Sequence, residues 1–154
     1  ERYPSLPKSA TRIVPVTMPS PTASKCFWIR LQQLRFHAHH GVLPEEATLG
    51  QRFVLDLECA FHPPSEPWAD ELSHTVSYAE LCEQIRELCE QRRFKLLESL
   101  ADAIVERLRA EFPKLEYIRV CLHKPSVPLA ALLDEAAVEL RWYSEAWPKS
   151  LVSS

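Results

Sequence analysis

Glycine is nearly missing from this 154-residue chain, which has only Gly41 and Gly50, and methionine occurs once, as Met18. Basic charge is also in short supply. Eighteen Lys and Arg face 21 Asp and Glu, and the net charge of −3 argues against a nucleic-acid-binding surface. No apolar run approaches the length needed to cross a bilayer, so no membrane role is expected. The five cysteines, Cys26, Cys59, Cys82, Cys89 and Cys121, are odd in number and include no C-x-x-C pair. They sit inside strand-like or helix-like apolar patterns and are read as reduced core residues of a cytoplasmic protein, not as a disulfide framework. With 46% apolar residues, a chain of this length can build a core without one.

Both glycines fall in one stretch, His40-Gly41-Val42-Leu43-Pro44-Glu45-Glu46-Ala47-Thr48-Leu49-Gly50-Gln51. Glycine serves positive φ or close backbone approach. A chain that avoids it elsewhere therefore signals an unusual backbone here. Pro44 stiffens the turn, and Glu45 and Glu46 place two carboxylates on it. On local evidence the stretch is a connector between two strands.

Residues 1–25 are expected to be a disordered tail. Five prolines alternate with Ser and Thr, and the only acid is Glu1. The composition is basic, hydroxyl-rich and acid-poor, as in a transit peptide, so organellar import stands as a second reading of location. The folded domain is expected over residues 26–145, with 146–154 a C-terminal tail that frays from Trp147.

Within that domain the apolar periodicity is clear. Ile29 and Leu31 alternate with Trp28 and Arg30; Leu34 and Phe36 resume out of phase after Gln32-Gln33, which predicts a β-bulge. Phe53, Leu55, Leu57, Cys59 and Phe61 alternate with Arg52, Val54, Asp56, Glu58 and Ala60 as a second strand. Ser77-Tyr78-Ala79-Glu80 reads as a capping box opening a helix to about Gln91. A second helix starts at Leu97 or Glu98 and ends before Pro113. Strands follow over Ile118, Val120 and Leu122, and over Val138, Leu140 and Trp142. The fold class is α+β in the order β-β-α-α-β-β: a four-stranded antiparallel sheet with two helices on one face. The sheet's exposed edges favour barrel closure or homo-oligomerisation, and a ring-like homo-oligomer is expected.

Several side chains could carry chemistry, each with a bland reading beside it. Glu98 lies in a helix's first turn, where the dipole favours a carboxylate; the bland reading is an ordinary helix-start Glu. Lys124 ends a strand, and Pro125 forces its backbone to be extended; the bland reading is solvent decoration. Tyr78 sits just inside the capping box, where a half-buried aromatic is the default. His37, His39 and His40 have a spacing that could bind zinc; the bland reading is surface or pocket-edge histidines.

Four blocks of this chain together resemble one family. His40-Gly41-Val42-Leu43-Pro44-Glu45-Glu46 with Gly50-Gln51-Arg52-Phe53 is similar to the opening of dihydroneopterin aldolases. Thr75-Val76-Ser77-Tyr78 resembles their T-V-x-Y segment. Leu96-Leu97-Glu98-Ser99-Leu100-Ala101 resembles their L-L-E-x-L-A helix start, and His123-Lys124-Pro125 their x-K-P strand end. The match runs from about Trp28 to Tyr143 with the spacing between blocks preserved.

The resemblance implies the tunnelling fold, with subunits forming tetrameric rings that stack as an octamer and active sites lying between subunits. It implies an aldehyde-lyase of folate biosynthesis that splits 7,8-dihydroneopterin into 6-hydroxymethyl-7,8-dihydropterin and glycolaldehyde, with side-chain epimerase activity. No cofactor, metal or Schiff base is implied, because the dihydropterin ring itself accepts the electrons of the breaking bond. By the same resemblance Glu98 grips the pterin. Lys124 is the acid/base group. Tyr78 helps protonate the enol-like intermediate from a neighbouring subunit, and Glu46 belongs to the polar network around Lys124. Leu97, Val76, Ser77, Val42 and Leu43 line the substrate site. His37 and Ala38-His39 stand where many members have Tyr and Gly-Tyr, and Ser77 where some have His. Rival readings are a dihydroneopterin triphosphate epimerase, a zinc-dependent pterin synthase of the same fold using His37, His39 and His40, and a non-catalytic pterin-binding module.

Overall fold

A computed structural model of the chain describes residues 25–64, 69–130 and 132–152. The expected disordered tail, apart from Lys25, lies outside the described residues. The elements are β1 (Phe27–Ala38), α1 (Pro44–Leu49), β2 (Gln51–Phe61), α2 (Tyr78–Gln91), α3 (Leu97–Glu111), β3 (Tyr117–Lys124) and β4 (Ala136–Tyr143). The strands form one antiparallel sheet in the order β1-β2-β3-β4. The order β-β-α-α-β-β is therefore as the periodicity predicts. Added to it among the described residues are α1, a helix of six residues inside what reads from sequence as a turn, and two short 3-10 turns over Leu72–His74 and Lys149–Leu151.

The alternation of β2 fixes which face is the core. Phe53, Leu55, Leu57, Cys59 and Phe61 are each at most 2% exposed. β1 stays in step with them only through its bulge. Leu31 opposes Leu57 and Leu34 opposes Leu55, so Gln32 and Gln33 share the space opposite Asp56. Gln33 takes the left-handed φ of 59°, and its amide donates to Asp56 Oδ1 at 2.8 Å. Without the extra residue, Leu34 and Phe36 would turn to the polar face.

The Ser77 hydroxyl accepts from the Glu80 amide at 3.4 Å, the Ser half of the predicted capping box. α2 buries Leu81, Ile85, Leu88 and Cys89, and α3 buries Leu100, Ala101, Ile104, Val105 and Leu108. Both stripes lie against the apolar side of the sheet and merge with it into one core. Each such aliphatic side chain contributes about 1.5–3 kcal/mol on burial. All five cysteines are free, with Cys59 and Cys89 fully buried.

The opposite face of the sheet is polar and ion-paired. Arg30 pairs with Glu58 at 2.7 Å, and Glu139 pairs with both Arg119 and Arg141. His123 bridges Asp56 at 2.9 Å and Glu135 at 2.7 Å. Those two carboxylates outweigh the opposing effect of burial and raise the imidazole's pKa.

The expected fraying does not hold at Trp147. Its ring is 3% exposed, stacked on Tyr117 at 5.3 Å and edge-on to Trp28 at 5.5 Å. A turn folds the chain back, with the Ser144 amide bonded to the Glu116 carbonyl and the Trp147 amide to the Ser144 carbonyl. An isolated Trp has no periodic neighbours to signal burial, but its large apolar area drives it onto any available aromatic surface.

Candidate functional site

The two glycines frame a tight loop because nothing larger fits. Gly41 has φ 147° and Gly50 has φ 66°, both in the region that favours glycine. A Cβ on Gly41 would collide with the carboxylate of Glu46, and one on Gly50 would lie 2.7 Å from His39 Nδ1. Between them Pro44 opens α1, where its missing N–H costs nothing. Leu43, the residue before it, has no side-chain acceptor. The Glu46 side chain folds back instead, and its Oε2 accepts from the Leu43 amide at 3.1 Å. The Gly50 amide closes the loop on the Glu46 carbonyl at 3.0 Å.

This folding-back turns Glu46 toward Lys124. Glu46 Oε1 accepts from Lys124 Nζ and from Gln51 Nε2, the latter at 3.2 Å. The Lys124 and Glu46 side chains are only 12% and 9% exposed. Burial alone would raise the Glu46 carboxyl, but the bonds from Lys124 and the Leu43 amide outweigh it and its pKa is lowered. Lys124 is the last residue of β3, pinned opposite Ala136, with Pro125 stopping the strand beyond it. Glu46 also lines a cleft of about 270 Å³ with Glu45, Leu49, Gly50, Gln51, Ser126, Val127 and Pro128.

The other sequence-predicted residues are spread around this pair. Val42 and Leu43 project from the loop, 64% and 41% exposed. Leu97 packs against the core at the start of α3, and Glu98, next to it in the first turn, is exposed. Val76 is buried, Ser77 is half-buried as the cap of α2, and Tyr78 is 68% exposed. Val76 and Ser77 line a separate groove of about 380 Å³ with Leu72, Thr75, Phe112 and Pro113. Among the described residues, no hydrogen bond or ion pair joins Tyr78 or Glu98 to the Lys124–Glu46 pair. A single chain thus bonds Glu46 to Lys124 and to the Leu43 backbone, and among the described residues no such bond ties Val76, Ser77, Tyr78 or Glu98 to them.

The three histidines have separate environments. His40 is not at a surface or pocket edge, since it is fully buried between Phe53 and Phe94. Its Nδ1 accepts from the Phe94 amide at 3.1 Å, and burial lowers its pKa to about 4. His37 and His39 pack edge to face at 5.3 Å beside Gly50. Among the described residues no group of three or more His, Cys, Asp and Glu is placed to hold a metal ion.

Three participants were not assigned a role from sequence, Gln51, Arg93 and Phe94, and His40 was read only as a candidate zinc ligand. Gln51 and His40 do lie in the glycine stretch that the sequence singles out. Arg93 and Phe94 sit in the link between α2 and α3, where no periodicity or motif marks them. Arg93 Nε donates to the His39 carbonyl at 3.1 Å and Nη2 to the Gly41 carbonyl at 2.8 Å.

The chain is similar to known proteins over most of its length. The FolB family model, dihydroneopterin aldolase, matches residues 29–141. A dihydroneopterin aldolase of Methylorubrum extorquens is 46% identical over 112 residues, covering 73% of this chain and 86% of the relative. One of Streptococcus pyogenes serotype M1 is 39% identical over 112 residues, covering 73% and 94%. The crystal structure of the Escherichia coli dihydroneopterin aldolase in complex with neopterin superposes with a TM-score of 0.63 at 26% identity, covering 75% of this chain and 98% of that one. The matched span contains β2, β3, both long helices, the glycine loop and the Lys124–Glu46 pair, and on this evidence the chain belongs to the dihydroneopterin aldolase family.

Proposed function

We propose that this protein is a dihydroneopterin aldolase acting on a 7,8-dihydropterin with a polyol side chain. The observation that carries the reading is the Lys124–Glu46 pair, shielded from solvent at the foot of the glycine loop, with Glu46 lining a cleft. Glu98 supplies the pterin anchor: a carboxylate at a helix start accepts two N–H bonds from the 2-amino and ring nitrogens. The neutral amine of Lys124 takes the proton of the side chain's 2′-hydroxyl through a water, and Glu46 steadies the ammonium that forms. The C1′–C2′ bond then breaks. The hydroxyl-bearing carbon leaves as glycolaldehyde, and the bonding pair passes into the C6–N5 imine of the ring. Protonation at C1′, assisted by Tyr78 of a neighbouring subunit, gives 6-hydroxymethyl-7,8-dihydropterin. Positioned acid–base groups of this kind contribute roughly 10²–10⁴-fold each. Re-addition of the aldehyde to the other face yields the epimer.

The ring is its own electron sink, so neither a metal nor a Schiff base is required. Val76 and Ser77 line a separate groove, with Tyr78 exposed next to them in the chain, which suits a site completed by a second subunit, in an octamer of two stacked tetramers. Free cysteines suit a reducing compartment such as the cytoplasm.

The test is incubation of the protein with 7,8-dihydroneopterin and EDTA, followed by chromatography of the pterins. Appearance of 6-hydroxymethyl-7,8-dihydropterin is expected. Lys124→Ala should retain pterin binding and lose most turnover, whereas Glu98→Ala should lose binding. Normal pterin binding by Glu98→Ala would refute the assigned pocket, and monapterin as sole product would make the enzyme an epimerase.

A further inference from the structure

The proposed reaction needs two separate parts of the chain to stay in register. Lys124 and Glu46 sit on the end of β3 and the glycine loop, and Glu98 sits on the first turn of α3. The link between α2 and α3, residues 92–96, is what joins the loop to that first turn. Four hydrogen bonds stitch the link to the loop. The Gly41 amide donates to the Phe94 carbonyl at 3.0 Å, and the Phe94 amide to His40 Nδ1 at 3.1 Å. Arg93 supplies the other two, to the carbonyls of His39 and Gly41.

Arg93 differs from an ordinary surface arginine in what it binds. Its planar fork spans two backbone carbonyls on either side of His40, a geometry that a lysine's single ammonium cannot reproduce. The Gly41 it grips is the residue whose missing side chain makes room for the Glu46 carboxylate. Its positive charge also acts with Lys124 to favour the ionised form of Glu46. One side chain therefore fixes the loop's backbone and biases the carboxylate folded against it. Arg92, the adjacent arginine, does neither; its guanidinium lies over the Phe94 ring at 4.8 Å.

Resting on the aldolase reading for its kinetic consequence, we propose that Arg93 is a positioning residue, holding the Lys124–Glu46 pair in register with the pterin-binding end of α3. A displacement of about 1 Å between reacting groups costs on the order of a hundredfold in rate. Arg93→Ala should therefore lower kcat by about ten- to a hundredfold. The pterin stays bound through Glu98, so its dissociation constant should change little. Guanidinium at concentrations far below denaturing should restore part of the lost kcat, and sodium chloride at equal concentration should not. Arg93→Lys keeps the charge without the fork and should remain impaired. The acid limb of the rate profile should move to higher pH in Arg93→Ala and stay in place in Arg93→Lys.

A second measurement does not depend on turnover. Hydrogen exchange should be faster at the Gly41 amide and through residues 41–46 in Arg93→Ala than in the unaltered protein. Unchanged protection there would overturn the proposal, whatever the protein catalyses. So would a kcat like that of the unaltered enzyme, or a loss that neither guanidinium nor pH affects. If the unaltered protein fails to cleave dihydroneopterin, the aldolase reading falls, and the exchange result alone decides the role of Arg93.

Discussion

Replacing Gly41 by alanine separates what this loop does from what an ordinary turn would do. The change adds a single methyl group. Two costs follow from the geometry. Gly41 has φ 147°, where an L side chain is strained, and a residue held in such a region costs about 1–3 kcal/mol. The new Cβ also occupies space filled by the Glu46 carboxylate, so Glu46 must leave Lys124. Removing one partner of a buried pair costs about 3–5 kcal/mol. Displacement leaves Glu46 free to reach water, so about 2 kcal/mol is the better figure for this part. The sum is about 3–5 kcal/mol, and at roughly 3–4 °C per kcal/mol for a domain of this size Tm should fall by about 9–20 °C. Gly50→Ala is the control. Its φ of 66° carries about 1–2 kcal/mol of strain, but the atoms its Cβ meets belong to His37 and His39, side chains able to rotate. It should lower Tm by about 3–8 °C and leave Glu46 on Lys124. Calorimetry gives the first comparison, and turnover of dihydroneopterin at a temperature where both variants are folded gives the second. Gly41→Ala should lose far more activity than Gly50→Ala. A Gly41→Ala protein that melts within about 2 °C of the unaltered one, or two variants that behave alike, would refute the argument that Gly41 exists to admit Glu46.

Two further outcomes follow from the fold. His40 is neutral in the native state, with a pKa lowered to about 4, whereas the unfolded chain takes up its proton near the ordinary 6.5. Its contribution is therefore complete above pH 6.5 and is lost as pH falls toward 4, by about 3 kcal/mol in all. Urea titrations across that window should show the loss, and His40→Asn, which keeps an acceptor for the Phe94 amide without a titrating ring, should flatten it. A slope unchanged in His40→Asn would place the titration elsewhere. Trp147→Ala should destabilise by about 3–5 kcal/mol, since its ring fills the space between Trp28 and Tyr117. A midpoint in urea equal to that of the unaltered protein would mean that the chain end is frayed after all.

The sheet and helices were legible because each segment repeats its signal. Phe53 to Phe61 and the stripe from Leu97 to Leu108 each offer five or more apolar residues at one period, and the Gln32-Gln33 slip is visible as a break in phase. The pairing of Glu46 with Lys124 was available only through the family resemblance, because 78 residues separate the two and no local pattern joins them. His40 was misread because a buried neutral imidazole has the same letter as an exposed charged one; what settles it is the Phe94 amide, contributed from 54 residues away. Arg93 gave no signal for the same reason. Its partners are backbone carbonyls, which carry no residue identity and so leave no trace in composition or spacing. Trp147 lacked periodic company, so its aromatic partners could not be inferred.

The even number of strands has a geometric consequence. Because the four alternate in direction, the outer strands β1 and β4 run opposite ways. A copy translated sideways, with no flip, brings its β1 alongside β4 of the first in antiparallel sense, so the alternation continues unbroken across the joint. A subunit with three or five such strands would need a parallel joint, or a two-fold flip that joins like edges in pairs. Parity alone therefore equips this subunit for head-to-tail repetition, and each added copy presents the same free edge as the last.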